Sequence, residues 1–533
     1  MPQLAFFSAI SSFLEATHAA TPTLAPLHLL IGILAPAICA LLIAFFGSRL
    51  PLGATKAIAW IGFALPAWCA LWIAGTYGAV AQSGEYQFLW QADLGLSKLL
   101  GIQLMLGVNG ISVPMYVLAG IVGLAAGAYA IGSKVERQPL YLVLLLVMQS
   151  GLMGIFSSVD LFFYYFFHEF ALIPTFILIA MWGRTLSSRK TVAMELTIYL
   201  TLGAMITLGG LIGLYVSSGA EAFNLIALQE ALATGTAPTQ IFLMLLIGFG
   251  ILVSLFPFHT WAPPAYSTAP APAAMLHAGV LKKFGLYGLI QIAVPLLPSG
   301  LAGYGGLLMW LALGNVIIIG FVTIAQQDLK RMLGNASVMH MGYAFLGIYA
   351  FSVMGAGGAV LMMFAHGLSV SLMFLLADAV ERRAQTGDMR EIGGMAQTAP
   401  VLAGLFIAGT MASIGLPGFA NFWGELVIFT ALWQSPHPWV AIAAVAGIVI
   451  SAIYALRAVA RIFFGEPKAE LAATGDLQGW EKWPAILLLA ALFVVGIWPR
   501  GFSEHLDAAL AKQYPVKDVA VPVATVTDQS HAH

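Results

Sequence analysis

Four charged side chains sit in stretches where charge is costly. Glu169 lies in LFFYYFFHEFALIPTFILIAMWG, Lys282 and Lys283 in AAMLHAGVLKKFGLYGLIQIAV, and Glu425 in LPGFANFWGELVIF. His168, His259, His277, His340 and His366 lie in or at the ends of similar apolar stretches. Charge held in lipid usually faces a bundle interior or a water path. Desolvation brings acids and bases closer to neutrality, where histidine already titrates, so such a set can hand protons along. The chemistry to expect is ion movement, and proton relay before any other. Plainer roles stand beside it. Glu169 could be one half of a structural ion pair. Lys282 and Lys283 point about 100° apart on a helix and cannot line one path equally. Lys282 is the one expected to snorkel or pair locally. His259 and His277 read as helix-end hydrogen-bond partners. Arg457 and Arg461 read as structural or headgroup contacts, and Asp328, Lys330 and Arg331 as a solvated cap.

The elements carrying these residues must be membrane spans. Of 533 residues, 60% are hydrophobic and 8% charged, and the mean hydropathy is +0.92. A soluble globular chain carries roughly a quarter charged residues. The expected fold is an all-α integral membrane protein of about fourteen spans, since roughly 20 apolar residues cross a bilayer. They fall near 25–47, 57–81, 108–131, 139–158, 160–182, 193–216, 239–257, 272–297, 304–325, 335–353, 357–380, 398–430, 437–465 and 483–499. Residues 1–24 form a lead-in without Lys or Arg, hence a poor signal peptide. Residues 500–533 form a tail.

Charge supports this count. With the N-terminus outside, only Lys98, Arg500, Lys512 and Lys517 fall outside, and Lys282 and Lys283 within a span. The rest of the 22 Lys and Arg residues fall inside, as the positive-inside rule requires. Two spans carry breakers: ILVSLFPFHTWAPP, with Pro257, and MASIGLPGFANFWGE, with Gly415, Pro417 and Gly418. Broken backbone at membrane depth survives only inside protein or beside water. Two breaks five spans apart, entered from opposite sides, fit inverted repeats.

Several classes are excluded. A net charge of -1 gives no reason to expect nucleic acid, and two cysteines, Cys39 and Cys69, cannot ligate an iron–sulfur cluster. No phosphate-binding or dinucleotide motif and no metal-ligand spacing occurs. No cofactor is expected in this chain. Nothing resembles an organelle transit peptide, so a bacterial inner (plasma) membrane is the expected location.

The motifs resemble one family over nearly the whole chain. LGVNGISVPM, FFHEFALIPTFILIAMWG, PFHTWAPPAYSTAPAPAAMLHAGVLKKFGLYGL, QQDLKRMLGNASVMHMGY, AHGLSVSLMFLLADAVERR, MASIGLPGFANFWGELVIF, YALRAVARIFFG and VVGIWPRGF occur in order. They resemble the antiporter-like proton-pumping subunits of respiratory complex I, of the subunit M (chain 4) type. The resemblance implies helices 1–3 over 25–131, then two inverted five-helix repeats, helices 4–8 over 139–297 and helices 9–13 over 304–465. Helices 7 and 12 are broken, and helix 14 covers 483–499. It implies that Glu169 modulates a lysine, that Lys283 is the central lysine of a lateral axis continued by His340 and His366, and that Glu425 is the exit residue. The implied partners are neighbouring membrane-arm subunits of an NADH-quinone oxidoreductase, with redox chemistry outside this chain.

The departures matter. The family's seventh-helix lysine is Leu252 here, its Trp before the glutamate is His168, its LGVDGIS aspartate is Asn109, and Lys282 is an added base. One expectation is a rewired relay in which His168 and Glu169 connect to Lys282 or Lys283. The alternative is an inert half-channel or a scaffold subunit. Multi-subunit Na+/H+ antiporters, membrane-bound hydrogenases and bicarbonate-uptake complexes remain alternative settings.

Overall fold

The computed structural model describes residues 25–47, 49–78, 84–184, 188–466 and 475–514. The lead-in 1–24, Lys468, and the tail beyond 514 with Lys517 lie outside the described residues. The chain begins with α1 (Ala25–Phe46) and α2 (Leu52–Tyr77). An antiparallel hairpin of β1 (Gln87–Ala92) and β2 (Leu104–Val108) follows. Next come α3 (Ser112–Gly132), α4 (Gln138–Ser157), α5 (Leu161–Trp182) and α6 (Arg189–Ser218). α7 is in two pieces, α7a (Thr239–Val253) and α7b (Ala262–Thr268). α8 (Ala271–Leu296), α9 (Pro298–Ala325), α10 (Leu329–Tyr349) and α11 (Val353–Ala384) follow. α12 is also divided, into α12a (Pro400–Ser413) and α12b (Ala420–Trp433). α13 (Trp439–Phe463), α14 (Gly479–Ile497) and α15 (Arg500–Gln513) are the last helices among the described residues.

Eleven helices among the described residues are long and apolar enough to cross a membrane. The hairpin was not expected from the sequence. Its pairing of Gln87 with Val108 takes the first residue of the expected third span, and α3 begins only at Ser112. α15 occupies the start of the expected tail.

Burial decides which helices can hold a site. The most apolar windows of α8 and α11 are 94% and 100% buried, against 39% for α1 and α6. The rim helices present Leu41, Phe45, Ile198 and Met205 outward, as apolar solvent permits. At the centre α8 and α11 touch backbone to backbone. A Cβ on Gly367 would come within 2.6 Å of the Gly279 carbonyl oxygen. Small residues allow such approach between membrane helices, and this contact sets His366 beside Lys283. Side-chain caps fix other helix starts. Asp160 accepts from the Phe162 and Phe163 amides and from Gln103 of the hairpin connection, anchoring α5. Asp328 caps α10 through Arg331 N–H, and Ser352 caps α11 through Gly355 N–H.

The two breaks are built differently. After α7a the chain turns through Ser254, at φ 68°. Asn315 of α9 closes the gap: its amide donates to the Ser254 and Val338 carbonyls at 3.1 and 2.9 Å and accepts from Phe256 N–H at 2.6 Å. Trp261 Nε1 donates to the Ile251 carbonyl at 3.1 Å. Between α12a and α12b, Gly415 and Gly418 adopt φ of +76° and +101°, which glycine alone adopts freely.

Candidate functional site

The site starts on α8, which is not a regular α-helix. His277–Leu281 and Leu289–Ala293 are wide π-helical segments on either side of Lys283–Gly288. Such segments loosen the i→i−4 ladder and gather at functional positions. The ladder carbonyl of Ala278 accepts Lys283 Nζ at 2.6 Å. The same nitrogen lies 2.9 Å from His366 Nδ1 on α11, within reach for direct proton transfer. Lys283 is 0% exposed.

From His366 a line of titratable groups runs through the second part of the chain. The His366 and His340 rings stand edge to face, 5.7 Å between centroids. That separation needs a ring rotation or one water, and His366 Nε2 is free to take part, having no hydrogen bond. His340 Nε2 lies 3.4 Å from the Tyr454 hydroxyl on α13. Tyr454 and Tyr343 in turn lie within electrostatic range of the Glu425 carboxylate. Glu425 is buried at the start of α12b and packs against the backbone of Gly415, so the α12 break forms one wall of its pocket.

Four expected residues therefore come together: Lys283, His366, His340 and Glu425. Tyr454 joins them and was missed by sequence reasoning, because a tyrosine within a span is ordinary. Glu169 and His168 form a separate pair. Their closest atoms are 3.4 Å apart, and the Glu169 side chain is 31% exposed on the outer surface of α5. His168 stacks on Phe284, 4.0 Å between ring centroids. Among the described residues no ion pair joins Glu169 to either lysine, so the expected direct link is not formed. Leu252 is 3% exposed, packed with Gly203 of α6.

Lys282 does not snorkel. It is 1% exposed, donates to Ser337 on α10 at 3.3 Å and lies over the Tyr266 ring at 5.5 Å. Among the described residues neither Lys282 nor Lys283 is paired with a carboxylate. His277 is buried between Trp261 and Tyr266, and its Nδ1 makes no hydrogen bond. Among the described residues the expected helix-end hydrogen bond is not made at Nδ1. Arg457 donates to the Ile324 and Gln326 carbonyls and Arg461 to Gln327, the structural role expected of them.

Of the expected solvated cap, Arg331 is exposed and Asp328 partly so, but Lys330 is drawn into a partly buried network. Lys330, 4% exposed, pairs with Asp378 at 2.7 Å and Glu381 at 2.8 Å. Arg184 bridges Asp328 and Glu381, and Arg382 binds Asp378, Tyr129 and Glu481. The network borders a cavity of about 390 Å³. Ser337 lies two turns along α10 from Lys330, on the same face, and leads from this network to Lys282. Sequence reasoning missed Asp378 and Glu381 because charge near a span end is unremarkable.

The chain is similar to known proteins along most of its length. The family described as NADH:quinone oxidoreductase/Mrp antiporter, TM, matches residues 158–451. NADH-quinone oxidoreductase subunit M of Escherichia coli K12 is 30% identical over 478 residues, covering 87% of this chain and 92% of that protein. A chain of respiratory complex I from Thermus thermophilus with bound NADH aligns with a TM-score of 0.77 at 28% identity, over 91% of this chain and 99% of that one. A chain of the Mrp complex from Dietzia sp. DQ12-45-1b reaches 0.81 at 19% identity, over 92% and 98%, a likeness of fold alone.

Proposed function

This chain belongs to the NADH:quinone oxidoreductase/Mrp antiporter transmembrane family as a homologue of complex I subunit M, and we propose that it is a proton-translocating membrane-arm subunit of an NADH-quinone oxidoreductase. The observation that carries this reading is the buried succession Lys283, His366, His340, Tyr454, Glu425. Lys283 is its central base, the histidines and Tyr454 relay, and Glu425 is the outlet. Lys282 takes protons from the Lys330 side through Ser337. Glu169 and His168 tune the lysines through space. Quinone reduction takes place in partner subunits, and this chain needs no cofactor of its own.

In this reading α1–α14 are fourteen spans, and α4–α8 and α9–α13 are two inverted repeats, over 139–297 and 304–465. The N-terminus lies on the periplasmic side of a bacterial inner membrane. The network around Lys330 then faces the cytoplasm and the β1–β2 hairpin faces the periplasm. Leu252 favours a narrower second reading, in which the first repeat conducts nothing and only the second carries protons. The test is proton pumping by vesicles holding the assembled complex, wild type against Lys283→Ala, with electron transfer followed in parallel. Pumping and its coupled electron transfer fall together if the reading holds. Wild-type pumping in that variant sinks it.

A further inference from the structure

A second cavity, of about 620 Å³, opens on the hairpin face and has no part in the relay just described. Its walls include Tyr86 just before β1, Asn109 just after β2, Glu230, and Pro298 at the start of α9. The Lys512–Glu85 ion pair, at 2.7 Å, stands at its lip. Its inner end meets α8. The Gln291 amide donates to the Tyr86 hydroxyl, while Gln291 Oε1 has no hydrogen bond although the residue is 0% exposed. Tyr287 lies one turn closer to the centre. Its hydroxyl is 1% exposed or less with its residue and sits beside Ser112 without a hydrogen bond of good geometry. Lys283 comes one turn further. The spacing 283, 287, 291 sets the three on one side of α8.

A buried polar atom without a partner destabilises the fold unless something satisfies it. Asn109 Nδ2, also buried, is another such atom in the cavity wall. Orphaned groups in a row, ending in a cavity large enough for many waters, are what a hydrated path requires. Packing alone would be better served by apolar residues at 287 and 291. We propose that this column is an outward proton path of the first repeat. The cavity is its water vestibule, and Tyr86, Gln291 and Tyr287 hold the water that reaches Lys283. Lys283 then has a second outlet beside Glu425, on the side where Leu252 has closed the usual connection. This inference rests on the proton-translocating reading for its direction, but not for the existence of the water path.

The test uses the assembled complex in sealed membrane vesicles of both orientations. A small membrane-impermeant cationic thiol reagent is applied to Gln291→Cys, with the buried native Cys39 and Cys69 as background. Modification is expected from the hairpin face about tenfold faster than from the other face, and adding Gln291→Leu to Glu425→Gln is expected to lower the residual pumping of that variant about tenfold. Gln291→Asn, which keeps an amide, controls for folding and retains the residual pumping. No modification from the hairpin face overturns the path, as does unchanged residual pumping when Gln291→Leu is added. Lys283→Ala is measured alongside. If it stops pumping while Gln291→Leu leaves the residual pumping unchanged, the column fails and the function stands. If Lys283→Ala pumps normally, the function fails, and thiol modification still decides whether the water path exists.

Discussion

The two broken helices look alike in sequence and are used in opposite ways. The α7 break is closed by structural groups: Asn315 and Trp261 satisfy its backbone, Leu252 puts no titratable side chain at the end of α7a, and His259 is the histidine within the break. The α12 break instead meets an ionisable side chain: Gly415 presents bare backbone to the Glu425 carboxylate. A broken helix in a membrane is therefore not itself a sign of an ion site. What matters is whether the freed backbone is met by a structural amide or by an ionisable side chain.

That contrast can be broken from either end. The largest effect is expected at the α7 break. Asn315→Leu leaves the Ser254 carbonyl and the Phe256 N–H unsatisfied, at about 1–3 kcal/mol for each group, and removes a second bond to the Val338 carbonyl within α10. Native gels should show loss of the assembled complex, and normal assembly would mean that the break does not depend on Asn315. At the α12 break, Gly415→Ala places a methyl group against Glu425 at a φ unsuited to alanine. Assembly is expected to survive while pumping falls about tenfold; unchanged pumping would remove the break from the relay. Tyr454→Phe deletes the hydroxyl between His340 and Glu425. Pumping should fall about fivefold, the equivalent of roughly 1 kcal/mol, with electron transfer slowed alongside. The smallest effect is expected in the first repeat at the α5 cap. Asp160→Ala should lower stability by about 1 kcal/mol in a thermal melt and Asp160→Asn by less; equal losses in both would assign Asp160 another role.

The sequence revealed residues that violate their surroundings. Lys283, His340, His366 and Glu425 were legible because ionisable groups amid Leu, Phe and Ala demand an explanation. The apolar runs likewise placed the long helices within several residues. Residues whose types are ordinary where they stand stayed hidden. Asn315, Ser337, Tyr454 and Gln291 are common helix residues, and only three-dimensional contact gives them roles. Lys330 and Asp378 lie near span ends, where charge normally meets water, so their burial left no trace in the pattern. The β1–β2 hairpin was masked because Leu104–Val108 is as apolar as a helix start. The partner of Lys282 could not be read because it depends on the π-helical turns of α8, which no periodicity signals.

The central claim is that the line from Lys283 to Glu425 moves protons and that Glu169 only tunes it. The most direct measurement compares Glu425→Gln with Glu169→Gln in vesicles holding the assembled complex, with proton pumping read against electron transfer. The account predicts that Glu425→Gln pumps at a small fraction of the wild-type rate, while Glu169→Gln stays within about twofold of it. The reverse order, with Glu425→Gln pumping normally and Glu169→Gln failing, would contradict the account.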